Sequence, residues 1–160
     1  GTSMSESVAI CKYLNERIGG SSIVGLTPEE RAETEMWLMR CELKVLVSVG
    51  SAFRNGPRFE FFKARRPGFM HKELAEPERA AGKAGLAWLD SQFADGRKFL
   101  CGDRFSLADI RLYVLYMFYS TMDPSQPRDK NATPHLLAYL DRVKARPSAQ
   151  AIMPKPRGKL

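Results

Sequence analysis

The sequence predicts an all-α fold, and three observations carry the prediction. Apolar residues recur at helical spacing along most of the chain, and no segment shows the alternation of a convincing strand. Pairs of a capping residue and a proline mark the starts of several helices. The chain has 160 residues, 44% of them hydrophobic, which suits one folded domain of ordinary size with a substantial core.

The first half of the chain predicts two helices. The first runs from Ser5 to Ile18 and ends at a Gly-Gly-Ser-Ser connector. The second starts at Thr27, with Pro28 in its first position and Glu30 completing a capping box. Its apolar pattern continues to Phe53 for about seven turns, so we expect one long amphipathic helix.

The second half predicts a helix from Pro77 to Gly96, a core helix from Leu107 to Met122, and a helix opened by Thr133-Pro134 and stopped by Pro147. A last turn capped by Ser148 would precede a tail too polar to order itself. The inward face of the Pro77 helix is predicted to hold Ala81, Ala84, Trp88, Leu89 and Phe93. Small residues that would let another helix approach are Ala80, Ala81, Gly82, Ala84 and Gly85.

Ser106 and Asp109 stand at the spacing of a capping box in front of the core helix. The Ser106 hydroxyl is expected to accept from the Asp109 N–H, and the Asp109 carboxylate to accept from the Ser106 N–H. The helix is apolar almost all round, so it should run through the middle of the core, where an uncapped end is costly. We therefore expect Asp109→Ala to destabilise the fold by about 1 to 2 kcal/mol.

The net charge of +7 could indicate an anionic partner. Positive residues concentrate in the segment 54–72, interleaved with phenylalanines, and again in the C-terminal tail. Such a mixture can stack bases and pair phosphates. It also describes a solvated loop whose rings fold back on the core, and we favour this second interpretation because no nucleic-acid-binding motif accompanies the charge.

Three cysteines, Cys11, Cys41 and Cys101, each lie in apolar helical sequence. Their odd number and wide spacing predict buried free thiols in a reducing cytoplasm, not a disulfide framework. No apolar run is long enough to span a bilayer, and no signal segment opens the chain. His71 and His135 stand apart without a metal-binding spacing, so we expect no metal site.

Two distant motifs together carry a family resemblance. The pattern Gly-Asp-x-x-Ser-x-x-Asp at 102–109, followed by Pro-His-Leu-Leu-Ala-Tyr-Leu-Asp-Arg-Val-Lys-Ala-Arg-Pro at 134–147, resembles the C-terminal domain of cytosolic glutathione transferases. The segment 5–14 resembles the last helix of that family's thioredoxin-like domain, which opens with a Glu-Ser or Gln-Ser pair. The resemblance implies that residues 1–19 are a remnant of that domain and residues 20–160 the all-α domain.

The resemblance assigns Glu6 and Ser7 to the γ-glutamyl end of glutathione, as co-substrate. A hydroxyl and unpaired N–H groups at a helix start suit a carboxylate, and Glu6 can pair with the ammonium group. Without the resemblance, both residues would count as ordinary capping residues. The family's catalytic Tyr, Ser or Cys and its cis-proline belong to earlier parts of the thioredoxin-like domain, so we expect no catalytic residue here and a truncated or unobserved first part.

The helical domain of the family also lines a hydrophobic pocket for the electrophile. The positions here that match by placement are Val47, Ser51, Phe53, Arg54, Tyr113 and Tyr116. Each of them also fits plain core or solvated surface. If Arg54 and Arg58 overhang this cleft, an electrophile with a carboxylate or sulfonate is favoured.

Two functions remain open from sequence. The first is a glutathione S-transferase that conjugates glutathione to an electrophile or transfers thiols, acting as a homodimer through the long helix and its neighbour, as the family usually does. The second is a non-catalytic interaction module, as in translation elongation factor gamma subunits. The basic segment 54–72 and the basic tail mildly favour the module.

Overall fold

The computed structural model describes residues 3–65, 68, 70–122 and 133–152. The all-α prediction is confirmed, since the described residues form helices and two isolated β-bridges between positions 99–104, with no named strand. The α-helices are α1 (Ser7–Arg17), α2 (Pro28–Cys41), α3 (Val47–Asn55), α4 (Phe59–Lys63), α5 (Ala75–Phe93), α6 (Leu107–Met122), α7 (Pro134–Lys144) and α8 (Pro147–Ile152). A π-helical segment (Glu42–Leu46) joins α2 to α3, and a 3₁₀ turn (Lys72–Leu74) precedes α5.

The predicted long helix is present but contains the π-helical segment in its middle. At its start, Thr27 Oγ1 accepts from the Glu30 N–H at 3.2 Å, and Pro28 occupies the first helical position. The Glu30 carboxylate reaches the Leu26 N–H at 2.7 Å, beyond the cap residue itself. The widened turns bring the Lys44 carbonyl oxygen so close to α5 that a Cβ on Gly85 would lie 2.0 Å from it.

Helix α5 begins two residues before Pro77, which sits in the first turn, where no N–H is needed. The predicted inward face is wrong at Ala81 and Ala84, which are exposed, while Leu89 and Phe93 are buried as predicted and Trp88 is half-buried. The two glycines set the true face, because a Cβ on Gly82 would lie 3.0 Å from a methyl group of Val49. Close packing of α3 on Gly82 and of the π-helical segment on Gly85 turns the alanines outward.

Helix α6 is central to the bundle, as expected, with Ala108 and Leu112 fully buried against the other helices. The expectation that its whole circumference is buried is wrong. Ile110, Val114 and Phe118 form a partly exposed apolar stripe along one side, because α1 and α3 cover this side of α6 only in part. The predicted bounds of α6 are confirmed.

Helix α7 starts at Pro134 as predicted, and its Leu136 N–H donates to the buried Asp90 carboxylate at 2.8 Å. Pro147 is the first residue of α8, so the last turn begins one residue before the predicted cap Ser148. The polar loop 123–132 and the tail from 153 onward lie outside the described residues. Within the described helices, none is long and apolar enough to cross a bilayer.

Candidate functional site

The start of helix α1 has an unusual backbone. Glu6 precedes the first helical residue, Ser7, with φ 68° and ψ 114°. Among the described residues, it is the only non-glycine with a positive φ. Such a conformation costs about 1 to 3 kcal/mol and tends to occur at functional sites. The strained backbone therefore marks this helix start as a candidate binding site.

No side chain caps α1 at its N-terminus. The first backbone hydrogen bond of the helix is donated by the Ile10 N–H to the Glu6 carbonyl oxygen at 3.0 Å. The N–H groups of the preceding turn therefore lack a helical partner, and both Glu6 and Ser7 are exposed. Together with the helix dipole, these groups form an accessible site for an anion.

Arg111 of α6 connects this helix start to the bundle. Its guanidinium donates to Ser7 Oγ at 3.4 Å and to the Glu42 carboxylate at 3.0 Å. Because Ser7 Oγ accepts here, its own proton stays available to a ligand. The Lys12 ammonium binds Glu35, and within the described part of the chain Glu6 has no ion-pair partner. Glu6 is thus the carboxylate at this site that is free to bind a cation.

Two cavities flank Ser7. One of about 250 Å³ lies between α1 and the long helix and is lined by Glu6, Ser7, Val8, Glu35, Leu38, Met39, Glu42 and Arg111. The other, of about 240 Å³, is mostly apolar and lies between α1 and α6, lined by Ser7, Val8, Cys11, Leu107, Ile110, Arg111, Val114 and Leu115. The helix start therefore opens onto concave surface on both sides.

The thiols behave differently from one another. Cys11 is exposed, so the expectation of burial is wrong for it, whereas Cys41 and Cys101 are buried free thiols as predicted. The reason is that α1 covers the bundle along a narrow stripe and leaves Cys11 facing the apolar cavity. Burial raises the pKa of Cys41 to about 12, and it also raises the pKa of Cys101. Neither buried thiol suits nucleophilic chemistry.

A second candidate region lies where α3 and α6 meet, because four of the predicted electrophile-pocket residues belong to α3 and the other two to α6. Val47 is exposed, and Ser51 and Arg54 are half-buried along α3, while Tyr116 is half-buried on α6. Phe53 is buried at the centre of an aromatic cluster with Phe62, Phe118 and Tyr119. The structure thus brings α3 and α6 together at aromatic side chains.

Tyr113 lies apart from that cluster. Its hydroxyl is buried and has no hydrogen-bond partner among the described residues, and burial together with nearby Asp141 of α7 raises its pKa. It therefore belongs to the side of α6 that meets α7. Sequence reasoning missed Phe118 and Tyr119, although helical spacing from Tyr116 places Tyr119 near the same face.

The start of α6 is built in the opposite way to that of α1. The Asp109 carboxylate is fully buried and accepts from the Ser106 N–H and hydroxyl, both at 2.8 Å, from the Leu100 N–H at 2.9 Å, and from the Tyr139 hydroxyl at 3.0 Å. One bond of the expected box is present. In place of the other, the Ser106 hydroxyl donates to the carboxylate, and the Asp109 N–H bonds the Ser106 carbonyl oxygen at 3.1 Å.

Burial raises the pKa of Asp109, and the four donors act against that shift. The site joins the turn at Leu100, the start of α6 and the middle of α7 through one side chain. No surface reaches Asp109, so its role is to hold the fold together.

Cations of the basic segment lie over phenylalanine rings of the same segment. Phe59 is buried, with the ammonium groups of Lys63 and Lys72 about 5.6 and 4.8 Å from its centroid. The Arg65 guanidinium covers Phe61 at 3.8 Å. These contacts support the interpretation of a solvated loop folded on the core over a base-stacking surface. Across the described residues, no group of three or more His, Cys, Asp or Glu could hold a metal.

Comparison with known proteins identifies the fold. A family model described as the C-terminal domain of glutathione S-transferase matches residues 72–142. The crystal structure of Gtt2 from Saccharomyces cerevisiae superposes with a TM-score of 0.77 at 27% identity, over 96% of this chain and 71% of that one. A glutathione S-transferase domain-containing protein from Marinobacter aquaeolei superposes with a TM-score of 0.75 at 30% identity, over 93% of this chain and 70% of that one.

The chain belongs to the glutathione S-transferase family. Glutathione S-transferase 2 of Saccharomyces cerevisiae is 27% identical over 158 residues, which are 96% of this chain and 63% of that protein. The chain thus spans a little under two thirds of this curated relative. The matched family model begins at the 3₁₀ turn before α5 and ends within α7, so it includes the Asp109 site.

Proposed function

We propose that this chain is the helical part of a glutathione S-transferase and that Glu6 and Ser7 bind the γ-glutamyl end of glutathione. In this proposal, residues 1–19 are the last helix of the thioredoxin-like domain and residues 20–160 form the helical domain. The strained backbone of Glu6 at an uncapped, exposed helix start is the observation that carries it. A protein keeps such strain where the surrounding structure and a ligand use it.

The chemistry of a γ-glutamyl group complements this site. Its α-carboxylate matches the Ser7 hydroxyl and the open N–H groups of the first turn, with the Arg111 guanidinium 3.4 Å from Ser7 Oγ. Its α-ammonium group matches the unpaired Glu6 carboxylate. One dipeptide therefore offers partners for both charges of an amino-acid head group.

The reaction we propose is attack by the glutathione thiolate on an electrophile or a disulfide held beside the helical domain. In conjugation, a bond forms between sulfur and the electrophilic atom as the leaving group departs with its electron pair. The residue that stabilises the thiolate is expected in the thioredoxin-like part, outside these 160 residues. Within this chain, the surface where α3 and α6 meet is the proposed place for the electrophile.

We also propose that the protein is a cytoplasmic homodimer. Exposed apolar residues on the long helix, Met36, Leu43 and Val47, support a dimer contact on that helix. The buried free thiols Cys41 and Cys101 support a reducing compartment. The rival function, a non-catalytic interaction module, keeps the same fold and predicts no turnover.

Glutathione affinity tests the proposal in the natural protein that contains this chain. The wild type should be retained on glutathione-agarose, eluted by free glutathione, and conjugate 1-chloro-2,4-dinitrobenzene. Ser7→Ala and Glu6→Gln should each weaken retention by about tenfold or more, because each removes a charge-assisted hydrogen bond. Ser5→Ala is the matched control and should bind as the wild type does.

Two outcomes would contradict the proposal. Equal losses of glutathione retention in Ser5→Ala and Ser7→Ala would show that Ser7 does not bind the ligand specifically. Absence of both retention and turnover, with co-purification of translation factors, would favour the interaction module.

A further inference from the structure

We propose that the surface where α3 and α6 meet contains a subsite for an anionic group carried on an aromatic body, formed by the Arg54 guanidinium and the Tyr119 hydroxyl over Gly50. The inference deepens the proposed function, on which it rests, by naming the chemical class of the second substrate. It differs from the sequence expectation, which paired Arg54 with Arg58 and did not include Tyr119.

Gly50 makes the subsite possible. A Cβ built on it would lie 2.7 Å from the Tyr119 hydroxyl oxygen and 3.0 Å from Arg54 Nη1. Arg54 stands four residues after Gly50 on the same face of α3, and Tyr119 comes from α6. The missing side chain therefore lets a cation and a hydroxyl from two helices converge on one point.

Arg54 is a cation without an anion. It is half-buried, and among the described residues neither an ion pair nor a hydrogen bond engages its guanidinium. Three acidic side chains that follow it in sequence have other partners: Glu60 pairs with Lys72, Glu73 with His71, and Glu76 with Arg79. A partly buried guanidinium that lacks an ion pair can form a strong, charge-assisted hydrogen bond with an anionic ligand.

The surrounding charge adds to this preference. Arg58 and Lys63 lie on exposed positions of the adjoining segment and carry further positive charge. Their field attracts an anion to this end of the molecule without fixing where it binds. Arg54 and Tyr119 supply the directional donors, and the exposed cations supply only attraction.

The wall of the subsite is aromatic. The Phe53 ring lies 5.6 Å from Tyr119, 5.8 Å from Phe118 and 6.0 Å from Phe62, between centroids, at tilted or edge-on angles. Phe118 remains 47% exposed within this cluster, so ring surface is open to a ligand. Edge and face contacts of this kind favour a flat aromatic partner. The combination selects an aromatic carboxylate or sulfonate.

A matched pair of probes tests the subsite in the 160-residue chain itself. Binding of 2-naphthalenesulfonate and of its neutral isostere 2-naphthalenesulfonamide is followed by amide NMR, with Gly50 as the local reporter. The sulfonate should bind about tenfold more tightly than the sulfonamide and shift the Gly50 resonance. Arg54→Gln should abolish this preference, while Tyr119→Phe should reduce it by about threefold.

Arg58→Gln is the matched control, since it removes one nearby exposed charge and should keep most of the preference. Equal affinity for the two probes in the wild type, or equal losses in Arg54→Gln and Arg58→Gln, would overturn the proposal. If Arg54→Gln fails to fold, Arg54→Lys replaces it and should keep attraction but lose most of the tenfold preference. A failure of the proposed function is distinguishable, because it abolishes glutathione retention and leaves the sulfonate preference intact.

Discussion

Two helices in this protein start with a serine beside an acidic residue, and the two starts are built for different purposes. At α6, the Asp109 carboxylate is fully buried and accepts four hydrogen bonds, one of them from the hydroxyl of Ser106. At α1, Glu6 and Ser7 are exposed, no side chain caps the helix, and the Glu6 backbone is strained. The first start satisfies its polar groups within the fold, and the second leaves them exposed, which suits the binding role that we propose for it.

The comparison teaches that the state of the polar groups indicates function better than residue type does. Ser and Asp or Glu at a helix start are equally consistent with a cap and with an anion site. Burial and saturated hydrogen bonding identify Asp109 as a folding residue. Exposure, strain and unpaired groups identify Glu6 and Ser7 as candidates for binding.

The largest effect is expected from Asp109→Ala. The substitution leaves the Leu100 N–H, the Ser106 N–H and the Tyr139 hydroxyl without their acceptor in a buried place. We expect the free energy of unfolding to fall by about 3 to 5 kcal/mol, more than a lost cap alone would cost. Urea unfolding of the chain measures it.

Asp103→Ala is the matched control, because Asp103 forms only an exposed pair with Lys98 at 3.0 Å and should cost under about 0.5 kcal/mol. Similar losses in the two variants would remove the contrast on which the account of Asp109 depends.

The cysteines provide a second comparison of the two helix starts. Cys101 lies at the start of α6, where its thiol donates to Ser106 Oγ at 3.5 Å, and Cys11 lies on α1. In the native protein, iodoacetamide should modify Cys11 at least about a hundredfold faster than Cys41 or Cys101. Burial and the raised pKa of both buried thiols oppose formation of their thiolates. Mass spectrometry of timed samples gives the rates, and urea should equalise them. Equal rates in the native state would contradict the burial of the α6 start.

A smaller effect of opposite sign is expected from Glu6→Gly. Glycine adopts φ 68° without strain, so the free energy of unfolding should rise by about 0.5 to 1 kcal/mol. The control Glu16→Gly, in the last turn of α1, should lower it by up to about 1 kcal/mol. Thermal or urea unfolding measures both. A destabilised Glu6→Gly protein would mean that the Glu6 side chain supports the fold.

Local signals in the sequence predicted much of the fold. Thr27-Pro28 and Thr133-Pro134 indicated helix starts correctly, because the geometry of proline acts within one turn, and at Thr27 the side-chain cap does so too. The face of α5 was predicted wrongly, since glycines at 82 and 85 take part in contacts with α3 and the π-helical segment that only tertiary packing specifies. The four donors to Asp109 also come from three separate segments, so spacing could suggest only the nearest.

In the candidate site, too, some features could be predicted from the sequence and others depend on tertiary structure. The Glu-Ser pair was recognised in the sequence through a family resemblance. The strained φ of Glu6 and the hydrogen bond from Arg111 to Ser7 are evident only in the three-dimensional structure. Tyr119 escaped notice because a tyrosine on an apolar helix is ordinary, and only its position over Gly50 makes it distinctive.

The most direct test of the central claim compares Ser7→Ala with Ser106→Ala in the natural protein, measuring unfolding free energy and retention on glutathione-agarose for both. The account predicts that Ser106→Ala lowers the unfolding free energy by about 1 to 2 kcal/mol and leaves glutathione retention unchanged. It predicts that Ser7→Ala changes stability by less than about 0.5 kcal/mol and loses retention by about tenfold. The reverse assignment, or equal effects of the two serines on both quantities, would contradict it.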